Sequence, residues 1–157
     1  IKVIDTGKKT MTGGRVKRLE KYLKNERFML TYGDGLSNVN LKELLKFHSK
    51  TKNYVTLTAV RPPARFGGIK IKGKKVKYFK EKSNLDEGWI NGGFFVMEPK
   101  IFNFLKNDNT ILESFSLENI SKIHKLGAFK HNGFWQCMDT KRDRELLEKI
   151  IKSKLFN

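Results

Sequence analysis

Short apolar or β-branched runs alternate with stretches of helical period along this chain. That alternation narrows its possible folds more than any other feature. Arg27 to Tyr32, Tyr54 to Val60 and Trp89 to Val96 read as strands. Val3 to Asp5 reads as the tail of another, and Ala128 to His131 and Phe134 to Cys137 as two short ones around Asn132-Gly133. Between them, Arg15 to Leu23 places Val16, Leu19, Tyr22 and Leu23 on one side of a helix. A second helix follows Asn40, a suitable cap, with Leu41, Leu44, Leu45 and His48 at i, i+3, i+4 and i+7. Pro99 opens a short helix with Ile101, Phe102 and Leu105. Ser116 and Thr140 stand as caps before helices carrying Leu117, Ile120 and Ile123, and Leu146, Leu147, Ile150 and Ile151. Strands alternating with helices predict an α/β layer fold. Ile69–Ile71 and Val76–Phe79 flank Gly73 as a hairpin, which makes the sheet mixed rather than purely parallel.

The 157 residues fit one domain with a core of its own. Twelve phenylalanines argue against disorder in so charged a chain. No apolar run reaches the roughly 18 residues of a membrane span. Cys137 is the single cysteine, which excludes an internal disulfide and points to a reducing compartment. The net charge of +17 is a prior for an anionic partner. Yet lysine is spread through almost every segment. Its densest stretch, Lys70, Lys72, Lys74, Lys75, Lys77, Lys80 and Lys82, largely alternates with Ile69, Ile71, Val76 and Phe79. That is either the solvated face of a hairpin or a phosphate-attracting strip. Abundant Lys, Asn, Ile and Phe also follow from a low-GC coding sequence, which needs no partner.

Five constellations could carry chemistry. Tyr32-Gly33-Asp34-Gly35 ends an apolar strand, where ligands of open α/β sheets bind; as plain sequence it is equally a turn. Met138-Asp139-Thr140 lies between a strand and the last helix, and Asp139 is either a capping acid or a ligand. Two acids from different strand ends are what Mg²⁺ needs, since water and phosphate oxygens complete its octahedron. Thr12-Gly13-Gly14-Arg15 opens a helix and suits an anion, without the spacing of a P-loop. Phe79-Lys80-Glu81-Lys82 offers Lys82 as a point charge for phosphate, or is plain surface. Ile90-Asn91-Gly92-Gly93-Phe94-Phe95 puts two glycines inside an apolar strand, which requires a bulge or a close ligand. His48, His124 and His131 lack metal-ligand spacing, and His48 reads as a satisfied core or boundary residue. No nucleophile elbow exists, and Cys137 reads as packed.

In order, D-T-G-x-x-x-x-T-G-G-R at 5–15, Y-G-D-G at 32–35, R-F-G at 65–67, F-x-E-K at 79–82, I-N-G-G-F-F-V at 90–96 and F-W-Q-x-M-D-T at 134–140 resemble one family over nearly the whole chain. It is the glucose-1-phosphate cytidylyltransferases, which are sugar-phosphate nucleotidyltransferases. The resemblance implies a mixed-sheet nucleotide-binding fold of the nucleotide-diphospho-sugar transferase type. It implies formation of CDP-glucose and pyrophosphate from CTP and α-D-glucose 1-phosphate with Mg²⁺. A cytoplasmic homo-oligomer supplying O-antigen and other surface-polysaccharide biosynthesis goes with it. Matched by position, Asp34 and Asp139 are the metal carboxylates and Gly13, Gly14 and Arg15 the nucleotide loop. Glu81 and Lys82 meet the sugar phosphate, with Lys82 on the phosphate itself. Gly67, Asn91 and Gly92 contact the glucose, and Trp135 is the aromatic residue near the metal.

Two positions depart from the family pattern: Ser83 and Cys137 replace prolines. The family's opening strand, G-G-x-G-T-R loop and P-K segment have no match in this chain. The expectation is therefore the C-terminal portion of a single domain, 1–157, lacking its first strand–helix units. Such a chain is expected to show little turnover by itself and to expose apolar strand edges. Two alternatives remain: a basic, non-catalytic nucleic-acid-binding module, supported by the charge, and a nucleotidyltransferase for another sugar phosphate or nucleotide. Against the first, the lysines form no recognised nucleic-acid motif.

Overall fold

The computed structural model describes residues 1–62, 68–80 and 88–153. In chain order its elements are α1 (Thr12–Arg18), α2 (Glu20–Leu23), β1 (Phe28–Thr31), β2 (Gly35–Ser37), α3 (Leu41–Lys50), β3 (Val55–Val60), β4 (Gly68–Lys72), β5 (Lys75–Lys80) and β6 (Ile90–Met97). A 3₁₀ helix (Pro99–Phe104) and a π-helical turn (Leu112–Leu117) lead into α4 (Glu118–Lys122), β7 (Leu126–Lys130), β8 (Trp135–Cys137) and α5 (Lys141–Lys152). Among the described residues the strands form a four-stranded sheet in the order β1-β6-β3-β7, a β2-β8 ribbon and a β4-β5 hairpin.

The four-stranded sheet is mixed as expected, but not through the β4-β5 hairpin, which forms a separate two-stranded sheet. β1 is antiparallel to β6, with Phe28 opposite Met97 and Thr31 opposite Phe94. Tyr54 N donates to Lys125 O and His131 N to Ala59 O, so β7 runs alongside β3 in the same direction. Contacts group the chain into two units. One comprises Ile1–Thr31, Leu41–Leu57 and Phe94–Phe129; the other comprises Tyr32–Asn40, Thr58–Gly93 and Lys130–Asn157.

The first unit holds most of the core. Phe95, Val96 and Met97 of β6 are all fully buried, because a central strand is covered on both faces. Leu44, Val55, Ile101, Leu112 and Ile120 join them, and Phe28 stacks on Phe102 with ring centroids 5.8 Å apart. In the second unit, Gln136 and Leu147 are buried beneath the β2-β8 ribbon and α5.

Several sequence expectations need correcting. Val3–Asp5 is not a strand; no ladder partner meets it and Val3 is 92% exposed. The helix expected over Arg15–Leu23 breaks at Leu19, whose N–H turns back to Val16 O, three residues away. Ser116 is not a cap; it lies within the π-helical turn, where its hydroxyl donates to Phe104 O. The β4-β5 hairpin forms about Gly73 (φ +60°), but Ile71, Val76 and Phe79 do not find a buried face. They are exposed, like the lysines between them.

Candidate functional site

In the second unit, the chain leaves Tyr32 and runs through Gly33-Asp34-Gly35 directly into β2. The ribbon sets Gly35 opposite Cys137, Leu36 opposite Gln136 and Ser37 opposite Trp135. Met138 N donates to Asp34 O at 2.8 Å, which extends the pairing by one step. The Asp34 turn and the Asp139 turn therefore lie side by side at one end of the ribbon, and both acids are exposed. Asp139 directly precedes Thr140, the N-cap of α5.

That cap is a reciprocal box. Asp143 N donates to Thr140 Oγ1 at 3.1 Å, and Asp143 Oδ2 accepts from Thr140 N at 3.0 Å. Asp143 Oδ1 also accepts from Gln136 Nε2 at 3.3 Å, so this buried carboxylate is engaged on both oxygens. Sequence reasoning found Thr140 and missed Asp143, although T-x-x-D is a close variant of the capping-box signature. One ligand atom each from Cys137, Asp139 and Asp143 lie within 4.8 Å of one another. The donors suited to Mg²⁺ are the exposed carboxylates of Asp34 and Asp139; a thiol is too soft for it. Two exposed carboxylates on adjacent turns are the donor type that a hard divalent cation takes, with water completing its shell.

The Asn91-Gly92-Gly93 segment lies in the same unit. Asn91 Oδ1 accepts from Gly93 N at 3.0 Å, and Asn91 Nδ2 donates to the Tyr32 hydroxyl at 3.4 Å. Tyr32 N donates to Gly93 O at 2.9 Å, and Trp135 Nε1 donates to Gly92 O at 2.8 Å. The glycines answer to protein packing. A Cβ on Gly92 would lie 2.8 Å from Val60 Cγ1; Gly93 has φ +78°, and its Cβ would lie 2.8 Å from the Tyr32 ring. The bulge-or-ligand alternative is thus met by a close approach of β3 and Tyr32. Gly67, Glu81 and Lys82, which were singled out from sequence, lie outside the described residues.

Gly13, Gly14 and Arg15 open α1 in the first unit. A Cβ on Gly14 would meet Asp108 O at 2.5 Å, and Gly14 N donates to Thr110 O at 3.1 Å. The loop is thus pressed onto the 107–112 segment. Arg18 fixes that segment through a two-pronged ion pair, Nε to Asp108 Oδ1 at 2.8 Å and Nη2 to Oδ2 at 2.5 Å. The hydrogen bond from Arg18 holds the Asp108 carboxyl below its usual range. Arg15 Nη1 donates to Thr6 Oγ1 at 2.8 Å and Nη2 to Lys8 O at 3.5 Å, both neutral acceptors.

Comparison with known proteins identifies the family and the fold. Residues 6–141 match the family model described as nucleotidyl transferase, and the chain belongs to that family. It is 44% identical over 149 residues to the glucose-1-phosphate cytidylyltransferase of Salmonella typhimurium, covering 94% of this chain and 58% of that protein. The protein of the same name from Salmonella typhi matches at the same identity and coverage. The chain thus spans a little over half the length of these relatives. Among solved structures, UDP-glucose pyrophosphorylase complexed with UDP-glucose superposes with a TM-score of 0.70 at 16% identity, over 96% of this chain and 65% of that one. That likeness bears out the mixed α/β fold. No helix among the described residues is long and apolar enough to cross a membrane.

Proposed function

We propose that this chain carries the sugar-phosphate and metal side of an enzyme that forms CDP-glucose and pyrophosphate from CTP and α-D-glucose 1-phosphate. The carrying observation is the convergence of Asp34, Asp139, Asn91, Gly92 and Trp135 within one unit, around the β2-β8 ribbon and the start of β6. The identity to the Salmonella cytidylyltransferases supports the choice of nucleotide and sugar. Residues 1–157 are then the C-terminal portion of one nucleotidyltransferase domain, from a cytoplasmic homo-oligomer that supplies O-antigen biosynthesis.

The reaction is a displacement at phosphorus. A phosphate oxygen of glucose 1-phosphate bonds to the α-phosphorus of CTP. The bond from that phosphorus to the oxygen bridging it to the β-phosphate breaks, and its electron pair leaves with pyrophosphate. No protein nucleophile is needed, so the chain's task is to position and to neutralise charge. Asp34 and Asp139 would hold Mg²⁺, which when bound would offset the repulsion between the two anionic substrates. Lys82 takes the sugar phosphate, and Glu81, Gly67, Asn91 and Gly92 take the sugar. Gly13, Gly14 and Arg15 take the nucleotide, Arg15 by its charge.

The test uses a chimera in which the Salmonella typhimurium relative supplies the portion that this chain does not match. Chelation is expected to stop CDP-glucose formation and added Mg²⁺ to restore it. Asp139→Asn should lower turnover about a hundredfold or more while the far-UV circular dichroism spectrum is retained. Full turnover by that variant would remove Asp139 from the metal role.

A further inference from the structure

We infer that Tyr32 and Trp135 are positioning residues that hold the Asn91–Gly92 segment as the sugar-hydroxyl subsite of the reaction proposed above, on which this inference rests. The family resemblance implies a glucose contact at Asn91 and Gly92 and assigns no role to Tyr32. The geometry gives Tyr32 a more particular task. The Asn91 amide is held at both ends: its oxygen by Gly93 N at 3.0 Å, its nitrogen by the Tyr32 hydroxyl at 3.4 Å. The Gly93 N–H admits only the oxygen on its side, and the Tyr32 hydroxyl oxygen receives the nitrogen on the other. The amide is thereby fixed in one of its two flip states.

A side-chain amide can make four hydrogen bonds, two donated and two accepted. With one of each taken, Asn91 retains one N–H and one carbonyl lone pair among the described residues. A donor and an acceptor side by side match neighbouring hydroxyls of a hexose, each of which donates and accepts. Without the Tyr32 hydroxyl the nitrogen end is released, and that pattern is presented for only part of the time.

Trp135 acts on the next residue. Its indole N–H donates to Gly92 O at 2.8 Å, so its one polar atom is engaged by backbone. This bond ties β8 to the start of β6. Tyr32 joins the same strand through Tyr32 N to Gly93 O, and its ring fills the space that a Cβ on Gly93 would need. The sugar segment is thus fastened from two sides. Both fasteners lie within four residues of a proposed metal carboxylate, Tyr32 of Asp34 and Trp135 of Asp139. The subsite and the metal site are held in one frame.

The experiment is a double-mutant cycle in the chimera described above. Tyr32→Phe keeps the ring and removes only the hydroxyl. It is expected to raise KM for glucose 1-phosphate about five- to tenfold, the worth of one hydrogen bond, with KM for CTP and the melting temperature held. Trp135→Phe should move the same KM in the same direction. Asn91→Ala should raise it at least as far, and adding Tyr32→Phe to Asn91→Ala should change nothing more, because the hydroxyl then has no amide to orient. Additive effects, equal changes in both KM values, or no change for Tyr32→Phe would overturn the inference. A wild-type chimera that makes no CDP-glucose would instead defeat the proposed reaction. The same cycle is then read on this chain by equilibrium binding of glucose 1-phosphate and mannose 1-phosphate. Coupling between Tyr32 and Asn91 there sustains the positioning role; binding without coupling, or no binding, ends it.

Discussion

At the scale of single residues, the most consequential group outside the site is His48. It is 1% exposed, with Nδ1 2.7 Å from Thr56 Oγ1 and Nε2 3.1 Å from Glu98 Oε1. Arg27 Nε also donates to that Glu98 oxygen, at 2.8 Å. Burial pushes the imidazole below its ordinary value of 6.5, and the hydrogen bond to Glu98 only partly opposes it. Burial raises the Glu98 carboxyl, but the hydrogen bonds from Arg27 and His48 outweigh this and hold it below 4.5. Both groups therefore bind protons more readily when unfolded, and both favour the fold at higher pH. The His48 contribution is complete above about pH 6.5 and is lost as pH falls through its folded value; the Glu98 contribution follows at lower pH. Melting temperature should fall between pH 7 and pH 5, and His48→Ala should flatten that slope while lowering stability throughout. Thr58 gives a prediction of opposite sign. Its hydroxyl is buried without a partner among the described residues, so Thr58→Val should hold or raise the melting temperature.

Glycines separate at the same scale. A Cβ on Gly14 would strike backbone of Asp108 at 2.5 Å, whereas at Gly33 none of the described residues comes within 4 Å. Gly14→Ala is expected to cost about 1–3 kcal/mol in denaturant unfolding, and Gly33→Ala less than about 0.5 kcal/mol. Gly14 in the first turn of α1 and Gly33 in a turn both belong to segments that sequence alone offers as ligand sites. One is required by packing and the other meets no obstacle, and no local pattern distinguishes them.

At the scale of elements, α5 shows what a sequence reveals readily. Thr140 was legible as a cap because threonine before an apolar-periodic stretch has a local physical reason to be there. Removing it should cost about 1 kcal/mol as Thr140→Ala, measured by thermal or urea unfolding. The strands of the main sheet were legible because β-branched and apolar runs have few alternatives. Ser116 was not: the same local signal stands inside a wider helical turn, where its hydroxyl serves Phe104 O, twelve residues earlier. The β4-β5 hairpin was legible as a hairpin, through Gly73, but its burial was not. Period-2 alternation gives two faces without saying whether anything packs on either. The Asp34 and Asp139 turns were legible as separate motifs; their juxtaposition depends on β2-β8 pairing, which three residues on each strand do not announce.

At the scale of the whole molecule, the +17 charge remains diffuse. Lysines ride on strands, loops and helices, and the exposed hairpin mixes them with Ile71, Val76 and Phe79. Membership of the nucleotidyl transferase family weighs against a nucleic-acid module. Duplex DNA binding with a steep log–log salt dependence, and no Mg²⁺-dependent CTP binding, would reopen that alternative.

By itself the sequence determined the α/β class, most strands and helices, the last helix cap and the family, because each rests on local periodicity or on ordered short motifs. Only the tertiary structure decided that Gly13 and Gly14 abut the 107–112 segment, that Asp143 rather than solvent completes the α5 cap, and that Tyr32 and Trp135 fasten Asn91 and Gly92. Those facts depend on contacts between residues 40 to 100 positions apart, or on which atom of a side chain a neighbour engages. Chain order does not encode such distances; packing and hydrogen-bond satisfaction create them.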